Sequence, residues 1–104
     1  MTLGTVIVPD EQLAAFCKRW RVVRLDLFGS ARRSDFRPDS DLDLLVTFDE
    51  GVPWTLLDMI EMQDELEAIT GHKVDLISRK AVEQDANWIR RGEILGSAEP
   101  VYAA

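Results

Sequence analysis

Apolar residues fall along this chain in two rhythms, one of three to four residues and one of two, and turn residues mark each change between them. Leu13, Phe16, Cys17 and Trp20 stand at i, i+3, i+4 and i+7 and make one apolar face. A first helix is therefore predicted to run to about residue 20, capped by Asp10, with Glu11 set against the positive end of its dipole. Over 21–28, Val22, Val23, Leu25, Leu27 and Phe28 lie among charged residues, a strand pattern that stops at Gly29-Ser30. A short helix over 31–33 and a turn-rich polar stretch over 34–40 lead into a second strand over 42–48. Gly51 and Pro53 punctuate the chain before a long helix over 54–70. Its stripe is Leu56, Met59, Met62, Leu66 and Ile69, and Gly71 is its stop. A third strand follows over 73–77, and Ser78 is placed to cap a last helix through about residue 95. Residues 100–102 suit an edge strand, with Pro100 at its start, where a missing N–H is tolerated.

Strands and helices in this order predict an α/β (α+β) domain, a mixed β-sheet covered by helices. No repeat, linker or low-complexity segment divides it, so residues 1–104 are expected to form a single domain.

Composition narrows the chemistry. The 46% hydrophobic and 30% charged fractions are those of a soluble globular protein, and no apolar run is long enough to span a bilayer. The N-terminus lacks the basic region of a secretory signal, and Cys17, the only cysteine, has no intrachain partner, so a cytoplasmic protein is expected. One cysteine and one histidine leave no zinc set of the usual kind; a metal here would be held by oxygen. The net charge of −7 argues against direct DNA binding, but not against a nucleotide accompanied by a divalent cation. A basic partner protein also suits it.

The candidate chemistry lies between Phe28 and Val46. Side chains alternate along a strand, so Asp41 and Asp43 share a face while Leu42 and Leu44 point to a core. Adjacent carboxylates repel, and a divalent cation relieves that repulsion; magnesium takes hard oxygen ligands and substrate phosphates. Asp75 interrupts the apolar run Val74-Asp75-Leu76-Ile77, where aspartate is a poor strand former. If its strand lies beside the second, three carboxylates could hold two metal ions for an in-line displacement. Gly29-Ser30, at a strand end, offers a tight turn with backbone N–H groups toward a phosphate, and Arg32 or Arg33 could neutralise the outer phosphates. Each piece alone has a plainer reading as turn, cap or solvated strand residue. Their combination is specific.

With Gly-Ser, ten intervening residues and Asp-x-Asp, the chain resembles the minimal nucleotidyltransferases of the DNA polymerase β superfamily. The resemblance implies a polymerase β-like nucleotidyltransferase fold, with Asp41 and Asp43 binding magnesium, Asp75 as third catalytic and metal-binding carboxylate, and Gly29 and Ser30 holding ATP. Where many members read Gly-Ser-Arg-Ala-Arg-Gly, this chain reads Gly29-Ser30-Ala31-Arg32-Arg33-Ser34. It keeps the second arginine as Arg33, a candidate nucleotide ligand. Small members of the family commonly accompany a HEPN-type ribonuclease toxin as its antitoxin, and some adenylylate a tyrosine on it. The resemblance thus implies a hetero-oligomer and transfer of AMP to a protein hydroxyl. Two other readings stand beside it: an antitoxin acting by binding alone, and nucleotidyl transfer to a small molecule.

Other residues are assigned plainer places. Cys17 is expected as a small core hydrophobe, and His72 as a solvated turn residue. Glu61, Asp64, Glu65 and Glu67 are expected as a wet helix face. Trp20, Trp54 and Trp88 are expected as core or interface anchors. Asp26, in the first strand, is either a group supporting the site or an edge residue.

Overall fold

The computed structural model describes residues 2–3, 6–28 and 41–103. A two-residue antiparallel pair, β1 (Thr2–Leu3) and β2 (Val6–Ile7), precedes helix α1 (Asp10–Arg19). The sequence pattern had not indicated that pair; two residues are too few to show a period. Pro9, not Asp10, holds the cap position of α1, and no side chain caps it. Asp10 instead enters the first turn beside Glu11, where both carboxylates face the positive end of the helix.

β3 (Val22–Phe28) and β4 (Leu42–Phe48) pair antiparallel, and a parallel β5 (Val74–Ser78) follows through helix α2 (Leu56–Thr70). The chain closes with α3 (Arg79–Glu83), α4 (Trp88–Ser97) and β6 (Glu99–Ala103), the last antiparallel to β3. The four-stranded order is β5-β4-β3-β6, a mixed sheet in an α+β fold with four helices among the described residues.

The two faces of this sheet carry different helices. Leu25, Leu27, Leu42, Leu44 and Val46 pack with Leu13 and Phe16 of α1 and Met62 and Leu66 of α2 in the main core. On the opposite face Phe28, Leu45 and Val82 form a smaller core with Ile94, Leu95 and Ala98 around them. Full burial of a leucine or phenylalanine is worth about 1.5–3 kcal/mol, so the helices have enough apolar contact to be fixed on both faces.

Local chemistry sets the helix ends. Thr55 caps α2 in a reciprocal capping box with Asp58, and Gly71 ends the helix in a left-handed conformation at φ 74°. The helix begins two residues later than the pattern suggests because Thr55 takes the cap. Leu56, assigned to its core stripe, is instead 77% exposed. The single helix expected after Ser78 is two. Ser78 caps α3, the chain breaks at 84–87, and Asn87 caps α4 by accepting from the Arg90 N–H. Pro100 sits one residue inside β6, on the sheet edge, as a strand proline requires.

Candidate active site

β4 and β5 run parallel, and their register sets Asp43 directly beside Asp75. Strands in a sheet lie about 4.8 Å apart, so the two carboxylates are neighbours on one face. Asp41 precedes β4 by one residue and shares the parity of Asp43. The Leu42 N–H donates to the Lys73 carbonyl at 2.8 Å, which ties the entrances of the two strands together at this end. Leu42, Leu44, Val74 and Leu76 turn into the main core, and this alternation leaves the aspartates on the other face.

Asp41 and Asp75 are exposed and Asp43 is half-buried. The Asp43 carboxyl is pushed above the ordinary carboxylate range, first by burial, then by the charges of Asp75 and Asp41. The three aspartates therefore form one electrostatic group. They do not form a finished ligand cage. Among the described residues, no three carboxylate, imidazole or thiol groups converge closely enough to hold a metal ion without moving.

Phe28, the last residue of β3, is the register partner of Asp43. Residues 29–40, with Gly29, Ser30, Arg32, Arg33, the short helix over 31–33 and the turn over 34–40, lie outside the described residues. Their two flanks, Phe28 and Asp41, both stand at the carboxylate end of the sheet.

Further along the same face is Asp26, for which the sequence left two places open, a group supporting the site or an edge residue. Asp26 is fully buried and accepts from Arg24 Nε at 2.7 Å and Arg79 Nη2 at 2.6 Å. Its strand lies inside the sheet between β4 and β6, so the alternative of an edge residue is excluded. The local signal was Arg24 and Asp26 at i and i+2, on one face of an apolar strand. Arg79, 53 residues away, carries no such signal. The pairs anchor the start of α3 to the sheet two residues along from the Asp43 row.

Several minor expectations changed. Glu65 is not simply wet: it accepts from Trp20 Nε1 at 2.8 Å and pairs with Arg19, joining α2 to α1. Glu67 accepts from the Val74 N–H at 2.9 Å. His72 is half-buried, its backbone N–H held by the Thr70 hydroxyl at 3.2 Å. Trp20 and Trp54 meet edge to face at 5.2 Å, and Trp88 is 70% exposed. Cys17 is fully buried, and burial pushes its thiol up to about 12, as suits a core position. A cleft of about 640 Å³ opens at the far ends of β4 and β5, beneath the start of α2, away from the carboxylates.

Comparison with known proteins agrees with this fold. Residues 9–98 match the family described as nucleotidyltransferase domain. Over 65 residues the chain is 40% identical to the protein adenylyltransferase MntA of Thermococcus cleftensis, covering 62% of this chain and 64% of that protein. The match thus spans just under two thirds of that relative. A solved structure described provisionally as a minimal nucleotidyltransferase is 40% identical, with a TM-score of 0.66, covering 88% of this chain and 87% of its own. A toxin–antitoxin crystal structure with AMP-PNP superposes at a TM-score of 0.68 over 90% of this chain and 73% of its own. At 14% identity, that likeness is one of fold alone.

Proposed function

The chain belongs to the nucleotidyltransferase domain family, and from that premise we propose that it transfers AMP from ATP to a protein hydroxyl. The acceptor in this reading is a tyrosine of a HEPN-type toxin, and the setting is a cytoplasmic complex of the two proteins. The relative named protein adenylyltransferase and the toxin–antitoxin structure of the same fold support it. The observation that carries it is the register pairing of Asp43 with Asp75, with Asp41 two positions before.

Hard carboxylate oxygens, and an Asp43 carboxyl held high first by burial and then by two like charges, fit a divalent cation such as magnesium. Asp41, Asp43 and Asp75 would hold it, two ions being the number expected with a triphosphate. When bound it supplies positive charge against the triphosphate. Gly29, Ser30 and Arg33 are assigned to the phosphates, on the segment whose flanks end beside the carboxylates. In transfer, the acceptor oxygen bonds to the α-phosphorus, the bond to the bridging oxygen breaks, and pyrophosphate leaves. The hydroxyl proton passes to Asp75, which is exposed and pairs in register with Asp43.

Incubation with ATP, magnesium and the toxin, followed by mass measurement of the toxin, tests this. A gain of one AMP with the wild type, and none with Asp41→Ala/Asp43→Ala, is expected. No gain under conditions where ATP binds, or equal gain with the variant, refutes transfer. The alternative of neutralisation by binding alone draws support from the exposed Leu56, Leu57 and Ile60. Full neutralisation by the double variant at matched expression would favour it.

A further inference from the structure

α2 begins with apolar side chains that its own fold does not use. Leu56 is 77% exposed, Leu57 76% and Ile60 48%. A helix turns about 100° per residue, so the three fill one sector opposite Met62, the residue buried in the core. The sector does not end at solvent. Leu56 also lines the cleft of about 640 Å³, with Val52, Trp54 and Met59 along its wall. An exposed helix face and a groove thus form one continuous apolar surface, of a kind that marks a protein contact.

The surrounding charges specify what covers it. Glu50 lies on the cleft wall, and Glu61 and Asp64 border the exposed sector on α2, all three exposed. Asp49, also on the wall, is paired with Arg21 at 3.3 Å, and Lys80 is the cation lining the cleft among the described residues. The rim is therefore predominantly acidic, in a chain of net charge −7. A second copy docked face to face would set one acidic rim on another. A partner with basic residues flanking an apolar stripe would meet both the apolar face and the rim.

We propose that the start of α2 and its cleft dock an amphipathic helix of a partner protein, leucine-like residues in the groove and lysine or arginine along both flanks. The surface sits at the C-terminal ends of β4 and β5, and the aspartates at their N-terminal ends. Phe48 lies five positions beyond Asp43 along β4, about 17 Å of strand. Docking therefore leaves the carboxylate face open. This surface does not depend on the transfer reading.

The probe is a synthetic amphipathic helix of about 18 residues, leucines on one face and lysines on its flanks, with a glutamate-flanked control. Calorimetry with the full chain is expected to give saturable binding, weaker by about tenfold or more for the control and for Leu56→Asp/Leu57→Asp. NMR shifts are expected to cluster on Leu56, Leu57, Ile60 and Trp54. Both substituted side chains are exposed, so the variant keeps its fold; Leu56→Ser/Leu57→Ser, free of added charge, should lose affinity too. Asp41→Ala/Asp43→Ala is expected to bind the probe like the wild type, which separates this surface from the catalytic reading. Four outcomes would overturn the proposal: no binding, equal affinity for both peptides, shifts elsewhere, or sedimentation showing a dimer that Leu56→Asp/Leu57→Asp abolishes.

Discussion

Asp43 and Asp26 are two strand aspartates on one sheet face with opposite electrostatic surroundings. Asp26 has two guanidinium partners; Asp43 has two like charges beside it and no ion-pair partner among the described residues. Substitution should therefore act in opposite directions. Removing Asp26 leaves Arg79 half-enclosed without its carboxylate, and breaking a buried pair from one side costs about 3–5 kcal/mol. Asp26→Ala is expected to lower stability by roughly 3 kcal/mol in denaturant titration, whereas Arg24→Ala, whose side chain is 43% exposed, should cost under about 1 kcal/mol. For Asp43 the folded carboxyl lies above its unfolded value, so the folded state binds the proton more tightly. Its contribution is fully present below the unfolded value and is lost as pH rises through the folded one. Asp43→Asn is thus expected to match the wild type in acid and to exceed it at neutral pH, by roughly a degree or two in Tm. Magnesium should raise the wild-type Tm and leave that of Asp43→Asn little changed. A variant less stable than the wild type at pH 7 would contradict the repulsion.

Among the elements, α2 has the most consequence, because it both connects the paired strands β4 and β5 and shields their edge. The outward N–H groups of Val74 and Leu76 donate to Glu67 Oε2 at 2.9 Å and Gln63 Oε1 at 3.2 Å. Side chains of the crossover helix thus occupy positions where another strand could add. Gln63→Ala/Glu67→Ala is expected to keep the helix but raise concentration-dependent association, read by light scattering; unchanged scattering would show that the edge is protected otherwise. The capping box gives a smaller test: Thr55→Ala should cost about 1 kcal/mol. These elements show what the sequence made legible. β4, Gly71 and the core positions Met62 and Leu66 follow from period and turn chemistry, which are local. The parity of Asp41 and Asp43 is local too, and so was readable. The pairing of Asp43 with Asp75 depends on which strands become neighbours, and only the condition for it could be stated. Leu56 was misassigned because periodicity identifies an apolar face but not where its partner ends. Glu65 and Glu67 read as solvent-facing because their partners, Trp20 and the Val74 N–H, come from other elements. The split of the last helix at 84–87 lacked a glycine or proline to announce it.

At the scale of the whole molecule, the carboxylate row and the acidic-rimmed cleft occupy opposite ends of the same pair of strands. A rigid sheet can hold an acceptor protein at one end while its hydroxyl is presented at the other, and the two tasks then become separable by mutation. Asp41→Ala/Asp43→Ala removes charge from the transfer end without touching the apolar surface. Leu56→Asp/Leu57→Asp does the reverse and leaves the aspartates in place. With toxin as the partner, the first variant is expected to bind it as the wild type does and to transfer no AMP. The second should bind ATP normally but need at least about tenfold more toxin to reach half its transfer rate, with the rate at saturation nearly preserved. Salt offers an independent check, since exposed charges are screened beyond about 8–10 Å near physiological ionic strength. Raising salt should slow toxin association more than dissociation, because the acidic rim steers the encounter and the leucines hold the complex. The combined variant should show the sum of the two losses, as sites this far apart share no partners. If the leucine pair instead lowered the saturated rate as strongly as the aspartate pair, the two ends would be one functional unit, and the separation of docking from transfer would be wrong.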